Sequence, residues 1–370
     1  MKKEIASRFL DWMQGKKRGP VKIQINPTNR CNLKCRFCWL RDFDEAEVNL
    51  EEIETSRYLG LVKEAKDLGV RKFEITGGGE PLMRKDVIEI MKEIKEAGME
   101  GELITNGTLF EEEDITQIIE MGWDRILFSL DAPDKETNDF LRGGGFEKVV
   151  WSIRRFVEIE KKKGVDKPEI AIHTVLCKAN YEKLPRMVEF VYGLGVRNFF
   201  VEPMVFLTHK TGAGKELLLD KGKEVEDYIR KAEKLCSRYG IKHNLGKLKT
   251  EQIEHVNRMD RLLRKKAYIP CFQPWYHVVI RPWGSVGPCC MFDYSEENIK
   301  QKSLKQIWFG DYFERIRKSI MEGNLFGFCS NCNPSQVQEN EEVRMEIEKM
   351  LGKSMRILEA IQKLRDVFGV

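Results

Sequence analysis

Residues 71–130 read RKFEITGGGEPLMRKDVIEIMKEIKEAGMEGELITNGTLFEEEDITQIIEMGWDRILFSL. Three short runs of alternating apolar residues, 71–75, 102–105 and 125–130, predict strands. The stretches between them, 85–97 and 111–121, carry apolar residues at helical spacing. The rhythm continues on both sides. Upstream, 21–25 reads as a strand and 50–67 as a helix that stops before Gly69. Downstream, helices are expected at 146–162 and 183–192, and strands at 170–176 and 198–201. Six strands with five intervening helices imply βαβ units and a parallel sheet. Six units are too few for a closed eight-fold barrel, so the expected fold is α/β, a partial (β/α)6 TIM-like barrel. In such a sheet the loops after the strands carry the site.

The flanks divide the chain further. Residues 1–20 form a short helix with Ile5, Phe9, Trp12 and Met13 on one face, and 21–215 form the barrel. Gly214-Lys215 lacks the earlier glycine of a phosphate loop, because His209 stands there, and Glu216 follows instead of Ser or Thr. Helical patterns at 216–239 and 251–266 make 216–270 a helical bridge to a second module at 271–332. The tail, 333–370, is an amphipathic helix with Val343, Ile347, Met350, Ile357, Ile361, Leu364 and Phe368 in its stripe. That stripe is expected to pack on the chain's own body; a homodimer through this helix is the alternative.

Of 370 residues 42% are hydrophobic and 33% charged, the balance of a folded soluble protein. No apolar run approaches the roughly 20 residues of a membrane span, and the N-terminus lacks a signal core, so a cytoplasmic protein is expected. With 63 basic against 59 acidic residues, the net charge of +4 gives no reason to expect nucleic acid. The Lys/Glu richness resembles a heat-adapted surface.

The ten cysteines are spaced for chemistry rather than for disulfides. Cys31, Cys35 and Cys38 follow the first strand in NPTNRCNLKCRFCW, with no local fourth. Three thiolates hold three corners of a [4Fe–4S] cube and leave one iron open. CxxxCxFC after a first strand resembles the signature of radical S-adenosylmethionine (SAM) enzymes. The resemblance implies that SAM chelates the open iron and that one electron cleaves it to methionine and a 5′-deoxyadenosyl radical. That radical abstracts a substrate hydrogen atom. It places Phe37 against the adenine. Gly77-Gly78-Gly79-Glu80-Pro81 resembles the family stretch that receives the SAM amino group. Asn106, Ser129 and Asp131 resemble its ribose and carboxylate contacts, Arg142 its carboxylate-binding arginine, and Asn180 a further nucleoside contact. A reductant such as flavodoxin or ferredoxin is the implied partner.

The second module resembles the SPASM and shorter twitch extensions of these enzymes. Gly284 to Cys289 fits their Gx4C element, and Trp308, Phe313 and Arg317 fit the helix that follows. The resemblance implies that Cys271, Cys289, Cys329 and Cys332 hold one auxiliary [4Fe–4S] cluster with no open iron; Cys290 is the alternative to Cys289. A four-cysteine zinc site also fits these spacings. A fully ligated cluster can take an electron, which favours oxidation of the substrate over rearrangement.

The substrate is expected to be small and polar, sugar- or cyclitol-like, because the 30 residues before Cys31 leave little room for a peptide-recognition domain. A peptide substrate is the alternative. Cys177 and Glu202 are the candidate catalytic residues, Cys177 as hydrogen-atom donor, with a small buried hydrophobe as the alternative, and Glu202 as proton acceptor, with a SAM contact as the alternative. His209 and Tyr276 are further candidates near strand ends, and His173 is expected to be packed.

Overall fold

The computed structural model describes residues 1–42, 44, 50–204, 213–218, 221–248, 271–292, 295–332 and 334–351. Helix α1 (Lys2–Met13) leads into strand β1 (Lys22–Ile25). Helix and strand then alternate through α2 (Thr55–Asp67), β2 (Lys72–Ile75), α3 (Val87–Glu96), β3 (Glu100–Thr105), α4 (Glu112–Glu120) and β4 (Arg125–Ser129). Next come α5 (Lys135–Arg142), α6 (Phe146–Lys163), β5 (Glu169–Leu176), α7 (Leu184–Gly193) and β6 (Asn198–Pro203). Strands β1 to β6 lie side by side in chain order, each parallel to the next. This is the expected α/β partial barrel.

Alternation along the strands explains both faces. Ile23, Ile25, Phe73, Ile75, Leu103, Ile126 and Phe128 are fully buried in one apolar core with helix residues such as Leu61, Ile90, Ile118 and Ile153. Each such side chain contributes about 2 kcal/mol by leaving water. Several of the intervening residues, on the inner face, are charged. Lys72 Nζ lies 2.8 Å from Glu102 Oε2, Arg125 Nη1 3.5 Å from the same atom, and Arg125 Nε 3.2 Å from Glu169 Oε1. Lys22 pairs with Glu74 at 3.5 Å. The inner charges thus neutralise one another from strand to strand.

Several elements differ from expectation. Helix α5 was not foreseen. It is one short segment, started by Asp134, whose side chain accepts from Thr137 N, and ended at Gly143 in the left-handed region. Helix α2 starts at Thr55 rather than at residue 50. The helix expected from 216 starts later, as α8 (Gly222–Tyr239), after the buried Leu217 and Leu218. After the short β7 (Lys242–His243), the expected helix at 251–266 lies outside the described residues.

The largest difference concerns the second module. Its strand β8 (His277–Ile280) pairs parallel with β1, in the register Lys22↔His277 to Ile25↔Ile280. The two-residue β9 (Val286–Gly287) then pairs antiparallel with β8. Among the described residues one sheet therefore runs β7-β6-β5-β4-β3-β2-β1-β8-β9. Helices α9 (Leu304–Trp308) and α10 (Asp311–Met321) follow. Arg317 of α10 is wedged 4.3 Å from the Trp12 ring and 4.5 Å from the Trp308 ring, tying α1 to the module. The last described helix, α11 (Pro334–Leu351), buries Val343 and Ile347 in the core with Ile5 and Phe9 of α1. Its Asn340 Oδ1 accepts from Phe272 N at 2.7 Å. The described half of the tail thus packs on its own body, while Ile357, Ile361, Leu364 and Phe368 lie outside the described residues.

Candidate functional site

The carboxyl ends of the strands enclose a cavity of about 300 Å³. Cys31, Cys35 and Cys38, from the loop after β1, border it together. Arg36 N donates to Leu141 O at 2.9 Å, anchoring that loop to α5. Leu33 N and Asn106 Nδ2 point at Cys31 Sγ from 3.5 and 4.0 Å. Burial pushes the Cys35 thiol up to about 12, with Arg142 drawing it back. Thiolates in this place need a cationic partner. Among the described residues no three His, Cys, Asp or Glu side chains converge on the position of a single metal ion.

The glycine stretch after β2 closes over the cysteine loop. Gly79 N donates to Thr28 O at 2.7 Å and Glu80 N to Arg30 O at 2.9 Å. A Cβ on Gly78 would stand 2.1 Å from Asn29 Oδ1, and one on Gly79 1.9 Å from Arg30 O. Only glycine permits this approach. Glu80 borders the cavity, yet its carboxylate is committed to the protein. Thr105 Oγ1 donates to Oε1 at 2.6 Å and Asn106 N to Oε2 at 2.7 Å. Burial still pushes this carboxyl up to about 7. Asn106, which borders the cavity, accepts from Thr108 N at 2.9 Å and donates to Asn32 Oδ1 at 2.9 Å.

Phe37, Ser129 and Arg142 border the cavity, with the Arg142 guanidinium 5.8 Å from the Phe37 ring. Two residues expected to face a ligand do not border it. Asp131 is fully buried; Oδ2 pairs with Arg142 Nε at 2.7 Å and Oδ1 accepts from Val175 N at 2.8 Å. Asn180 Nδ2 donates to Asp131 O and Val175 O, both at 2.8 Å, and its Oδ1 accepts from Cys177 N at 2.8 Å. Asp131 therefore orients Arg142, and Asn180 ties the ends of β4 and β5.

The second thiol set sits beside β8 and β9. Burial pushes the Cys271 thiol up, and Cys332 and Cys329 push it further. Cys289 is raised by burial and then by Cys290, Cys271 and Cys329. Cys271, Cys289, Cys329 and Cys332 are thus neighbours. Cys290 adjoins the same set, as the first charge that raises Cys289, and Gln336 touches both Cys290 and Cys332. Gln336 Nε2 donates to the Cys290 sulfur at 2.9 Å, and the charges acting on that thiol are those of Arg281, Glu74 and Lys22.

Residues 25–191 match the radical SAM superfamily model, and residues 271–333 match an iron–sulfur cluster-binding domain, SPASM. The chain carries a radical SAM domain followed by a SPASM domain. Its two domains bring SAM, a [4Fe–4S] cluster and auxiliary iron–sulfur chemistry as cofactors. Among curated relatives, the tungsten-containing aldehyde ferredoxin oxidoreductase cofactor-modifying protein of Pyrococcus furiosus is 26% identical over 84% of this chain and 86% of its own. The AdoMet-dependent heme synthase of Methanosarcina barkeri is 29% identical over 86% of this chain and 90% of its own. Among solved structures, Streptococcus suis SuiB bound to precursor peptide SuiA shares the fold. Its TM-score is 0.65 at 19% identity, over 88% of this chain and 74% of that one.

The donor sets suit those cofactors. Three thiols, a glycine cradle and a guanidinium share one cavity, and four further thiols are gathered in the SPASM region. The candidate catalytic residues of this radical SAM chain separate. Glu202 borders the cavity. Cys177 does not; it is fully buried with Leu141, Met204 and Leu217, and burial pushes its thiol up to about 12. Tyr276 is a fully buried core residue, and His209 lies outside the described residues. His173, expected to be packed, instead borders the cavity. The signal was its place two residues before Val175 on an alternating strand, which puts both on the inner face. No helix of the described residues is long and apolar enough to cross a membrane.

Proposed function

We propose that this radical SAM protein is an oxidoreductase that acts on a small polar, sugar- or cyclitol-like substrate. When bound, the cluster and SAM supply a carbon-centred radical that takes a hydrogen atom from the substrate. Cys31, Cys35 and Cys38 hold that cluster and leave one position for SAM. Gly78 and Gly79 let backbone approach its amino group beside Glu80. Arg142 pairs with its carboxylate, Ser129 and Asn106 flank the nucleoside, and Phe37 covers the adenine. Cys271, Cys289, Cys329 and Cys332 hold an auxiliary [4Fe–4S] cluster that receives an electron.

The observation that carries this reading is the meeting of three thiols, the glycine run and Arg142 at one cavity. The two curated relatives support a small-molecule substrate, since their names concern a cofactor and haem. Peptide modification is the second reading, because SuiB, of similar fold, was solved with a precursor peptide.

Anaerobic reconstitution tests the proposal. About eight iron and eight sulfide per chain are expected for two clusters. SAM with dithionite should yield 5′-deoxyadenosine. Zinc in the late site, or no 5′-deoxyadenosine, would refute the reading. A short precursor-peptide gene beside this one would favour the second reading.

A further inference from the structure

Between the two cysteine sets, β1 and β8 end side by side, with Ile25 opposite Ile280. The residue after β8 is Arg281, whose backbone N donates to Ser285 O at 2.9 Å across the turn towards β9. Its side chain is buried and reaches in two directions. Towards the second set, Nη2 donates to Cys290 O at 2.7 Å and to Phe292 O at 3.4 Å, and the guanidinium lies 4.9 Å from the Phe292 ring. Towards the first set, it lies 5.2 Å from the ring of Trp39, which follows Cys38 and borders the cavity. Arg281 does not itself border that cavity. One side chain thus stands between the Cys38–Trp39 turn and the Cys289–Cys290 turn.

A neutral amide could donate to the same two carbonyls. A guanidinium adds a charge that stays on at any working pH. Burying a permanent cation is costly unless anions stand beside it. The anions that the adjoining turn brings are thiolates, and Arg281 is the first charge that draws the Cys290 thiol down against the effect of burial. An iron–sulfur cluster that takes an electron gains a negative charge, and its potential follows the charges and hydrogen bonds around its sulfurs. A cation fixed beside the ligand turn therefore favours the reduced cluster. Removing that cation lowers the potential whatever else the side chain touches.

We propose that Arg281 is a positioning residue that, braced on Trp39, holds the Cys289–Cys290 turn and raises the reduction potential of the auxiliary cluster. This rests on the reading above that Cys271, Cys289, Cys329 and Cys332 hold that cluster.

The test is an anaerobic redox titration of the full chain with both clusters reconstituted, followed by electron paramagnetic resonance. A chain with Cys31, Cys35 and Cys38 replaced by Ala identifies which signal is the auxiliary one. Arg281→Gln and Arg281→Met are expected to shift that cluster about tenfold towards its oxidised form, a midpoint about 59 mV lower for a one-electron couple. Arg281→Lys, which keeps the charge, should stay within about threefold of the wild type. The cluster held by the first three cysteines should keep its midpoint within about threefold in all three variants. About four iron and a single signal in the wild type would sink the underlying reading, and the proposal with it. Two normal signals in the wild type with unshifted Gln and Met variants would overturn the proposal alone. A shift confined to the first cluster would overturn it by assigning Arg281 there. Loss of the auxiliary iron from both neutral variants would overturn it too, leaving Arg281 a support of the fold.

Discussion

Arg142 is held from behind by Asp131 and reaches the cavity in front. Removing one partner of a buried ion pair leaves the other charge uncompensated. Asp131→Asn keeps an acceptor for Val175 N but releases the guanidinium. SAM affinity, measured by equilibrium dialysis on the reconstituted protein, is expected to fall roughly tenfold, and further in Arg142→Ala. Replacing Cys31, Cys35 or Cys38 by Ala should abolish 5′-deoxyadenosine release altogether. The spacing of those cysteines and the GGGE run could be read without coordinates, because each motif is contiguous. The assignments of Asp131 and Asn180 could not. A polar residue at a strand end looks the same in sequence whether it turns to a ligand or back to its own backbone. His173 was obscured for a related reason, since its partner Glu202 lies on another strand.

Elements of alternating polarity were legible because the strand period is two and the helical period 3.6. Their limits were less so. Helix α5 escaped notice because its eight residues span barely two turns, between a cap and a glycine run. At this scale the glycine stretch after β2 makes its own demand. A Cβ on Gly79 would collide with the Arg30 carbonyl, which is backbone and cannot swing aside. Gly79→Ala should therefore lower the melting temperature by several degrees and weaken SAM binding, both measurable on one sample. Helix α6 carries a different liability. Glu160 has a buried Oε1 without a hydrogen-bond partner among the described residues. Burial, helped by Asp166, pushes its carboxyl up to about 8 from an ordinary 4.5. The folded chain keeps this proton where the unfolded chain releases it. The stability contributed is full below pH 4.5 and is lost as pH rises through about 8. Glu160→Gln should raise the thermal midpoint by a few degrees at pH 9 and converge with wild type near pH 4.5.

At the scale of the whole molecule, the order of modules could be read from the cysteine spacing, but their union could not. Nothing in HVVI announces that it will pair with KIQI more than 250 residues earlier. Long-range pairing depends on which edge is open, a property of the folded sheet. The charged inner ladder and the burial of α11 against α1 were invisible for the same reason. If the auxiliary cluster serves only later electrons, Cys329→Ala with Cys332→Ala should halve the iron, from about eight to about four per chain. 5′-Deoxyadenosine release without substrate should persist.

The β1–β8 seam has a consequence for how the protein can be divided. Val21 N donates to Tyr276 O, Asn26 N to Ile280 O and Ile53 N to Pro282 O, at 2.8 to 2.9 Å, so hydrogen bonds bracket the seam at both ends. With α11 on α1 and Arg317 against Trp12, the two parts grip each other without the covalent connection. A chain nicked by a protease site placed between residues 249 and 270 should therefore stay one particle. Both fragments should leave a gel-filtration column together, and two separately expressed pieces should reassemble into an active whole. Separation of the fragments in native buffer would show that continuity of the polypeptide, and not the seam, holds the two cofactor regions at their fixed spacing.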